Sequence, residues 1–434
     1  MKGNTFQMVV LGIFLALALG GVLFFALFSG KDGKDSIGNV TVWGTMEGRI
    51  FQQLIEFSQT YIDGATERIT YVEKDERFYQ DELIDALAAG VGPDIFFLKG
   101  ENTLQNQNKI FILPFENYSE RRFKDTFIEG SEIFLSPEGI IAFPFTVDPL
   151  VMYWNRDLLS SEGESLPPKF WDEFLSLTPR ITKRDQASNI LRATIAFGEF
   201  RNVNNAKDII ATLIIQAGNP IAGRGTTGSF QAKLLEKSNY TIPPAESALR
   251  FYTEFSNPIK SVYSWNRALP SSQDAFISGD LVFYFGYASE INILRDKNPN
   301  LNFDVTLLPQ SREESLRATG GRFEGLAITK ASQNKVGALR IASVFTSDPI
   351  IEQLNILIGL PPVSRNLLNI AQSDAISPIF YNSAIIARTW PDPHAEKTTA
   401  IFREMVESVT SGRLRVFESI REANSQLDAL YLKQ

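Results

Sequence analysis

Between Phe143 and Leu159 the chain reads FPFTVDPLVMYWNRDLL, two apolar, strand-like runs parted by Thr-Val-Asp-Pro. Proline has no amide hydrogen to give to a sheet ladder and drives the residue before it into an extended conformation, which confines it to edges and bulges. The Asp148-Pro149 step therefore argues against one uninterrupted central strand. Two readings remain. Either the step is a defect in an edge strand, or the chain there leaves one compact body and enters another.

The flanking sequence favours the second reading. NVTVW (39–43) reads as a strand, and Glu47 to Tyr61 carries a helical stripe of Ile50, Phe51, Leu54 and Phe57. RITYVE (68–73) alternates like a strand, FYQDELIDALAAG (78–90) reads as a helix closing on Gly90, and DIFFL (94–98) is a buried strand. This order implies a mainly parallel sheet covered by helices. Past Asp148 the alternation begins again. LVMYW, ATIAFG (193–198), DLVFYFG (280–286), FDVTLLP (303–309) and GLAITKA (325–331) read as strands, with helices at KFWDEFLSL and AKDIIATLIIQAG (206–218). Helices at 335–346, 398–410 and 413–432 finish the chain. At 434 residues the chain also exceeds what one core ordinarily serves.

Residues 8–28, MVVLGIFLALALGGVLFFALF, carry no charged or polar side chain. As a helix they would reach roughly 31 Å, about the thickness of a bilayer's hydrocarbon core. Leu27-Phe28-Ser29 is a poor cleavage site, and with no cysteine in the chain a lipid anchor is excluded. An uncleaved transmembrane anchor is favoured over a cleaved signal, with residues 1–7 as a short flank and 29–38 as a polar, glycine-rich tether.

Charge and composition remove several classes of chemistry. A net charge of −8 disfavours nucleic acid as a partner, and the absence of cysteine excludes disulfides, thiolate metal sites and a cysteine nucleophile. Gly223 to Gly228 spell GxGxxG, but a helix and a turn precede them where a dinucleotide site needs a strand before and a helix after. The single histidine, His394, lies in a proline-rich loop and reads as surface. Trp154 and Trp171 fall on strand and helix periodicities and read as core. Trp43, Tyr287 and Trp390 stand at strand ends or beside proline, where a flat ring can stack on a ligand.

Several ordered segments now combine: TVWGTMEG before a helix, ALAAGVGPDIFFL, GIIAFPFTVDPLVMYWNRDLL, FISGDLVFYFGYAS, VTLLPQ, GGRFEGLAITKAS and SGRLRVFESIREANSQLDALY. In this order they resemble the extracellular solute-binding proteins of ABC importers, the family-1 group that includes maltose-binding proteins. The resemblance implies an α/β, two-lobe periplasmic-binding-protein-like fold (type II), here with an N-terminal transmembrane helix. It puts a hinge at Thr146, Val147, Asp148 and Pro149, a second crossing near Gly321 to Phe323, and a third near Ser347 to Pro349. Lobe 1 would be 39–147 with 322–348, and lobe 2 would be 148–321 with 349–434.

The same resemblance implies ligand contacts from Trp43, Thr45 and Glu47, from Lys99, Glu101 and Asn102, and from Arg201, Asn202 and Asn204. Asp148, Arg322 and Phe323 would stand at the crossings. Binding outside the carboxyl ends of strands is the general rule for open α/β sheets and points to the same loops. Gly286-Tyr287 stands where relatives usually have Gly-Pro-Trp, which leaves a smaller stacking face, and Trp390 is the replacement platform. The implied activity is non-enzymatic capture of a small solute, a sugar or oligosaccharide, by a monomer without cofactor or metal. It would serve ABC permease subunits from the extracytoplasmic face of the membrane. The alternatives are a ligand-sensing ectodomain of the same fold and an envelope glycoside hydrolase.

Overall fold

The computed structural model describes residues 37–225, 228–237, 239–313 and 317–433. The expected flank, the expected anchor at 8–28 and most of the expected tether lie outside the described residues. Among those described, no helix is long and apolar enough to cross a membrane.

The chain opens with three parallel strands, β1 (Val40–Gly44), β2 (Ile69–Glu73) and β3 (Ile95–Lys99), with β1 between the other two. β1 buries every second residue. β3 is covered on both faces, so its Ile95-Phe96-Phe97-Leu98 run is apolar throughout. The helix Gly48–Ser58 turns Phe51, Leu54 and Ile55 onto this sheet, the face its periodicity marks.

The Asp148-Pro149 step lies in β4, an unbroken strand from Phe143 to Asn155. This corrects the expectation that a proline bars a continuous strand there. The reason lies in how β4 sits among β5 (Ile190–Ile195), β6 (Leu281–Tyr287), β7 (Phe303–Thr306) and β8 (Thr319–Ile328). Residues 143–149 of β4 pair with β8, which ends its register with Gly321 opposite Pro149. From Leu150 onward the partners are β6 and β7. The missing amide hydrogen thus falls where one ladder hands over to the next. β8 also pairs with β3, and β6 with β5, so a single path of strands runs through the molecule.

Although the ladder is continuous, the cores are two. Val147 is the last residue of β4 in a first apolar cluster, and Leu150 is the first in a second. The first holds Phe51 against Phe97, Phe145 and Phe345, and the second holds Trp171 among Phe174, Phe197 and Phe285. Trp154 and Trp171 belong to the second, as their periodicity implies. On the return path, Leu308 packs in the second cluster and Phe323 in the first, with Gly320-Gly321 between them.

The last crossing departs from expectation. Ile350, Ile351, Leu354, Val363, Ala384 and Ala387 all pack in the first cluster, so the chain does not change bodies near Ser347 to Pro349. Ser-Asp-Pro there starts a helix, Asp348–Ile358, with proline in its first turn, where its lack of an amide hydrogen costs nothing. The switch comes between Ala387 and Trp390, and Phe380 in the preceding helix already reaches the second cluster.

Phe323 sits in a notch cut by glycines. A Cβ on Gly130 would come 2.2 Å from its ring and 2.5 Å from the Ala387 carbonyl oxygen, and one on Gly321 would come 2.9 Å from the same ring. Gly130→Ala is therefore expected to cost roughly 1–3 kcal/mol through overpacking, read as a lower urea midpoint. An unchanged midpoint would show that the ring has room to move.

Candidate functional site

A cleft of about 1060 Å³ lies between the two clusters. Its floor is made by the strands that join them. Thr146 and Asp148 of β4 stand opposite Glu324 and Arg322 of β8, and strand alternation turns these four away from Val147 and Phe323 in the first core. Thr45, Met46, Glu76, Lys99 and Glu101 line one wall. Phe200, Val203, Asn205, Lys207 and Asp208 line the other, and Trp390 and Asp392 enter from the final crossing.

The polar groups of the floor are held in place. Asp148 accepts hydrogen bonds from the Ser289 hydroxyl at 2.6 Å and the Ser289 amide at 3.1 Å. Burial pushes its carboxyl up to about 6, against the pull of those two bonds. The Arg322 guanidinium lies over the Tyr287 ring, 3.7 Å from its centre, and donates to Asn205 Oδ1 at 3.2 Å. Asp208 is 3.9 Å from the same group. Burial works against this charge, but the neighbouring Tyr287, Asp208, Asp148 and Glu101 hold its proton more tightly than usual.

Asn205, just before the helix Ala206–Gln216, takes a left-handed conformation (φ 58°) that asparagine tolerates better than most side chains. Its amide nitrogen donates to Glu290 Oε1 at 3.0 Å, which fixes the oxygen offered to Arg322. On the opposite wall Lys99 pairs with Glu76 and faces Glu324 across the β3–β8 ladder. Burial raises the Glu324 carboxyl to about 7, with Lys99 opposing the shift and Glu76 adding to it. Lys207 pairs with Asp392, which is almost wholly buried.

Of the residues expected at the site, Thr45, Lys99, Glu101, Asp148, Tyr287, Arg322, Phe323 and Trp390 line the cleft. The Phe323 ring is turned into the first core, so only its backbone edge meets the cleft, and two other rings are less open than a stacking platform requires. The Tyr287 ring is covered by Arg322, and Trp390 is 8% exposed and stacked on Phe402.

The others do not line it. Trp43 lies within β1, under the Lys74 ammonium at 3.9 Å, not in the loop beyond the strand. Glu47 is exposed and paired with Arg49, and Asn102 sits in a short 3-10 turn with its carbonyl accepting from Asn106. Arg201 makes a two-pronged contact with Glu407 at 2.7 and 3.2 Å. Asn202 donates to the carbonyls of Asn266 and Leu269, and Asn204 accepts from Ser272 and Gln273, so both stitch one loop to another. In that loop the asparagine facing the cleft is the next one, Asn205.

Glu76, Lys207, Asp208, Glu324 and Asp392 were not anticipated. One of them was readable, because Arg322 and Glu324 are two apart on a strand and so share a face. Gly223, for its part, lies in a hairpin strand paired with residues 230–232, without the strand-to-helix turn a phosphate cradle needs, and Thr226 and Thr227 fall outside the described residues.

Comparison with known proteins agrees with this architecture. An ABC transporter solute-binding protein from Thermotoga lettingae, solved bound with α-D-tagatose, superposes with a TM-score of 0.65 at 19% identity, covering 91% of this chain and 100% of that one. The cyclic α-maltosyl-1,6-maltose binding protein of Arthrobacter globiformis gives 0.74 at 14% identity, covering 91% and 99%. At these identities the likeness is one of fold. A putative binding protein of Brucella abortus is 25% identical over 159 residues, a stretch that is 36% of this chain and only 38% of that relative. The family model for the bacterial extracellular solute-binding protein matches residues 57–377. The chain belongs to that family.

Proposed function

We propose that the protein captures a small hydroxylated solute, a sugar or short oligosaccharide, in the cleft and hands it to an ABC permease. The N-terminal helix would hold it at the extracytoplasmic face of the membrane. One observation carries this reading: the cleft takes its walls from two separate cores and its floor from the strands that connect them. A ligand touching both walls stabilises the closed arrangement only through contacts it makes there, which is the condition for ligand-driven hinge closure. The bodies that would move comprise residues 37–147 with 323–387, and 150–308 with 390–433. One protein of the same fold was solved with α-D-tagatose and another is named for binding cyclic α-maltosyl-1,6-maltose, which supports a sugar-like guest.

The test is a thermal-shift screen of the full chain against mono- and oligosaccharides, with peptides and inorganic anions for comparison. A bound sugar at a hundred times its Kd adds about 2.7 kcal/mol of stability. Asp148→Asn should then weaken the sugar that gives the largest shift by about tenfold, since an acceptor on the hinge floor is lost. The reading fails if no sugar raises the melting temperature, or if Asp148→Asn leaves the sugar affinity unchanged.

A further inference from the structure

We propose that the cleft prefers hydroxylated solutes bearing a protonated amine over their neutral and acidic counterparts, with Glu101 and Glu324 as the residues that set the preference. This inference rests on the solute-binding reading above and narrows it.

The argument is one of charge balance. Each cation lining the centre of the cleft answers to more than one carboxyl. Lys99 is paired with Glu76 and faces Glu324 across the ladder. Lys207 is paired with Asp392, and Glu101 feels its charge without touching it. Arg322 is laid on Tyr287, shared with Asn205 and Asp208, and stands opposite Asp148. Arg388, at the margin, is taken by Glu129 at 2.6 Å. Among the described residues, no lysine or arginine comes within ion-pairing distance of Glu101 or Glu324. The Thr45 hydroxyl donates to Glu324, and burial makes both carboxyls hold their protons more tightly than usual.

The consequences for a guest follow from its charge. An ammonium supplies the cation these two carboxyls lack and donates charge-assisted hydrogen bonds to them. A neutral sugar gains hydrogen bonds without the charge. A uronate or sugar phosphate meets surplus negative charge in a recess of reduced dielectric, where the one guanidinium of the floor is already engaged. Hydroxyl recognition is common to all three, so the difference between them isolates the charge.

The experiment measures binding of glucose, galactose and mannose to the full chain. Their 2-amino and uronate counterparts, with maltotriose, the glucosamine trimer and trigalacturonate, complete the set. The expected order is amine, neutral, acid, with the amine ahead of its neutral partner by about tenfold. Glu101→Gln and Glu324→Gln, which keep size and hydrogen bonding, should each reduce that ratio severalfold, and their ligand-free melting temperatures report whether the fold is kept. Neutral sugars binding as well as the amines, or uronates binding better, would overturn the inference and leave the sugar reading standing. Binding by none of the probes would remove both. The wild-type ranking decides the matter even if a variant fails to fold.

Discussion

Asp392→Ala is expected to lower the unfolding free energy by about 3 kcal/mol, the low end of the range for removing one partner of a buried ion pair. Asp392 is 1% exposed and its carboxylate is fully engaged. Thr398 Oγ1 donates at 2.7 Å, the His394 amide donates at 2.8 Å, and Lys207 supplies the counter-charge. These contacts tie the helix Ala206–Gln216 to the start of the helix Ala395–Thr410, across the last crossing. Truncation leaves the Lys207 ammonium with the Ala395 carbonyl at 3.4 Å and the Trp390 ring at 5.5 Å, a poor exchange for a carboxylate. Lys207 can reach the cleft and its water, which is why the low end of the range applies. Asp392→Asn keeps an acceptor for Thr398 and His394 and should cost less. Equilibrium urea unfolding measures both, and a loss below about 1 kcal/mol for the alanine variant would mean that the pair contributes no more than an exposed one.

Acidity provides the second large effect. The Glu324 carboxyl is held at about 7 in the folded protein against 4.5 in a free side chain, chiefly by burial, with Lys99 opposing and Glu76 reinforcing the shift. The folded state therefore binds a proton that the unfolded chain has already released between those values. The stability this contributes is complete below pH 4.5 and is lost as pH rises through 7. Its full size is on the order of 3 kcal/mol, and water in the cleft reduces it towards 2. Glu324→Gln removes the titration. The variant should gain about 2 kcal/mol on the wild type between pH 4.5 and pH 8, when urea stabilities are compared at each pH. Asp148, raised to about 6, slopes the same way in both proteins and cancels from the difference. Parallel pH profiles would show that Glu324 titrates normally.

What could be read from the residues, and what could not, divides along the reach of the forces involved. β3 was legible because a strand buried on both faces must be apolar at every position, and Ile95 to Leu98 are. β4 was misread because the cost of a proline depends on what lies beside it, and its partners come from residues 281–287 and 319–328, far along the chain. Ser347-Asp348-Pro349 signals a break whether it opens a helix or changes bodies, and only the packing of Ile350 and Leu354 tells the two apart. The cleft shows the same limit. The loops were anticipated, but within the 201–205 loop one residue's backbone decides which asparagine faces inward, and φ 58° at Asn205 settles it.

β4 also bears on how the protein comes into being. Because one strand runs through both bodies, neither body is a continuous length of chain. The first is incomplete until Ala387 has been made, and the second waits for the closing helix Val416–Tyr431. Each core can therefore close only after its last contributing segment has been made, long after its first strands.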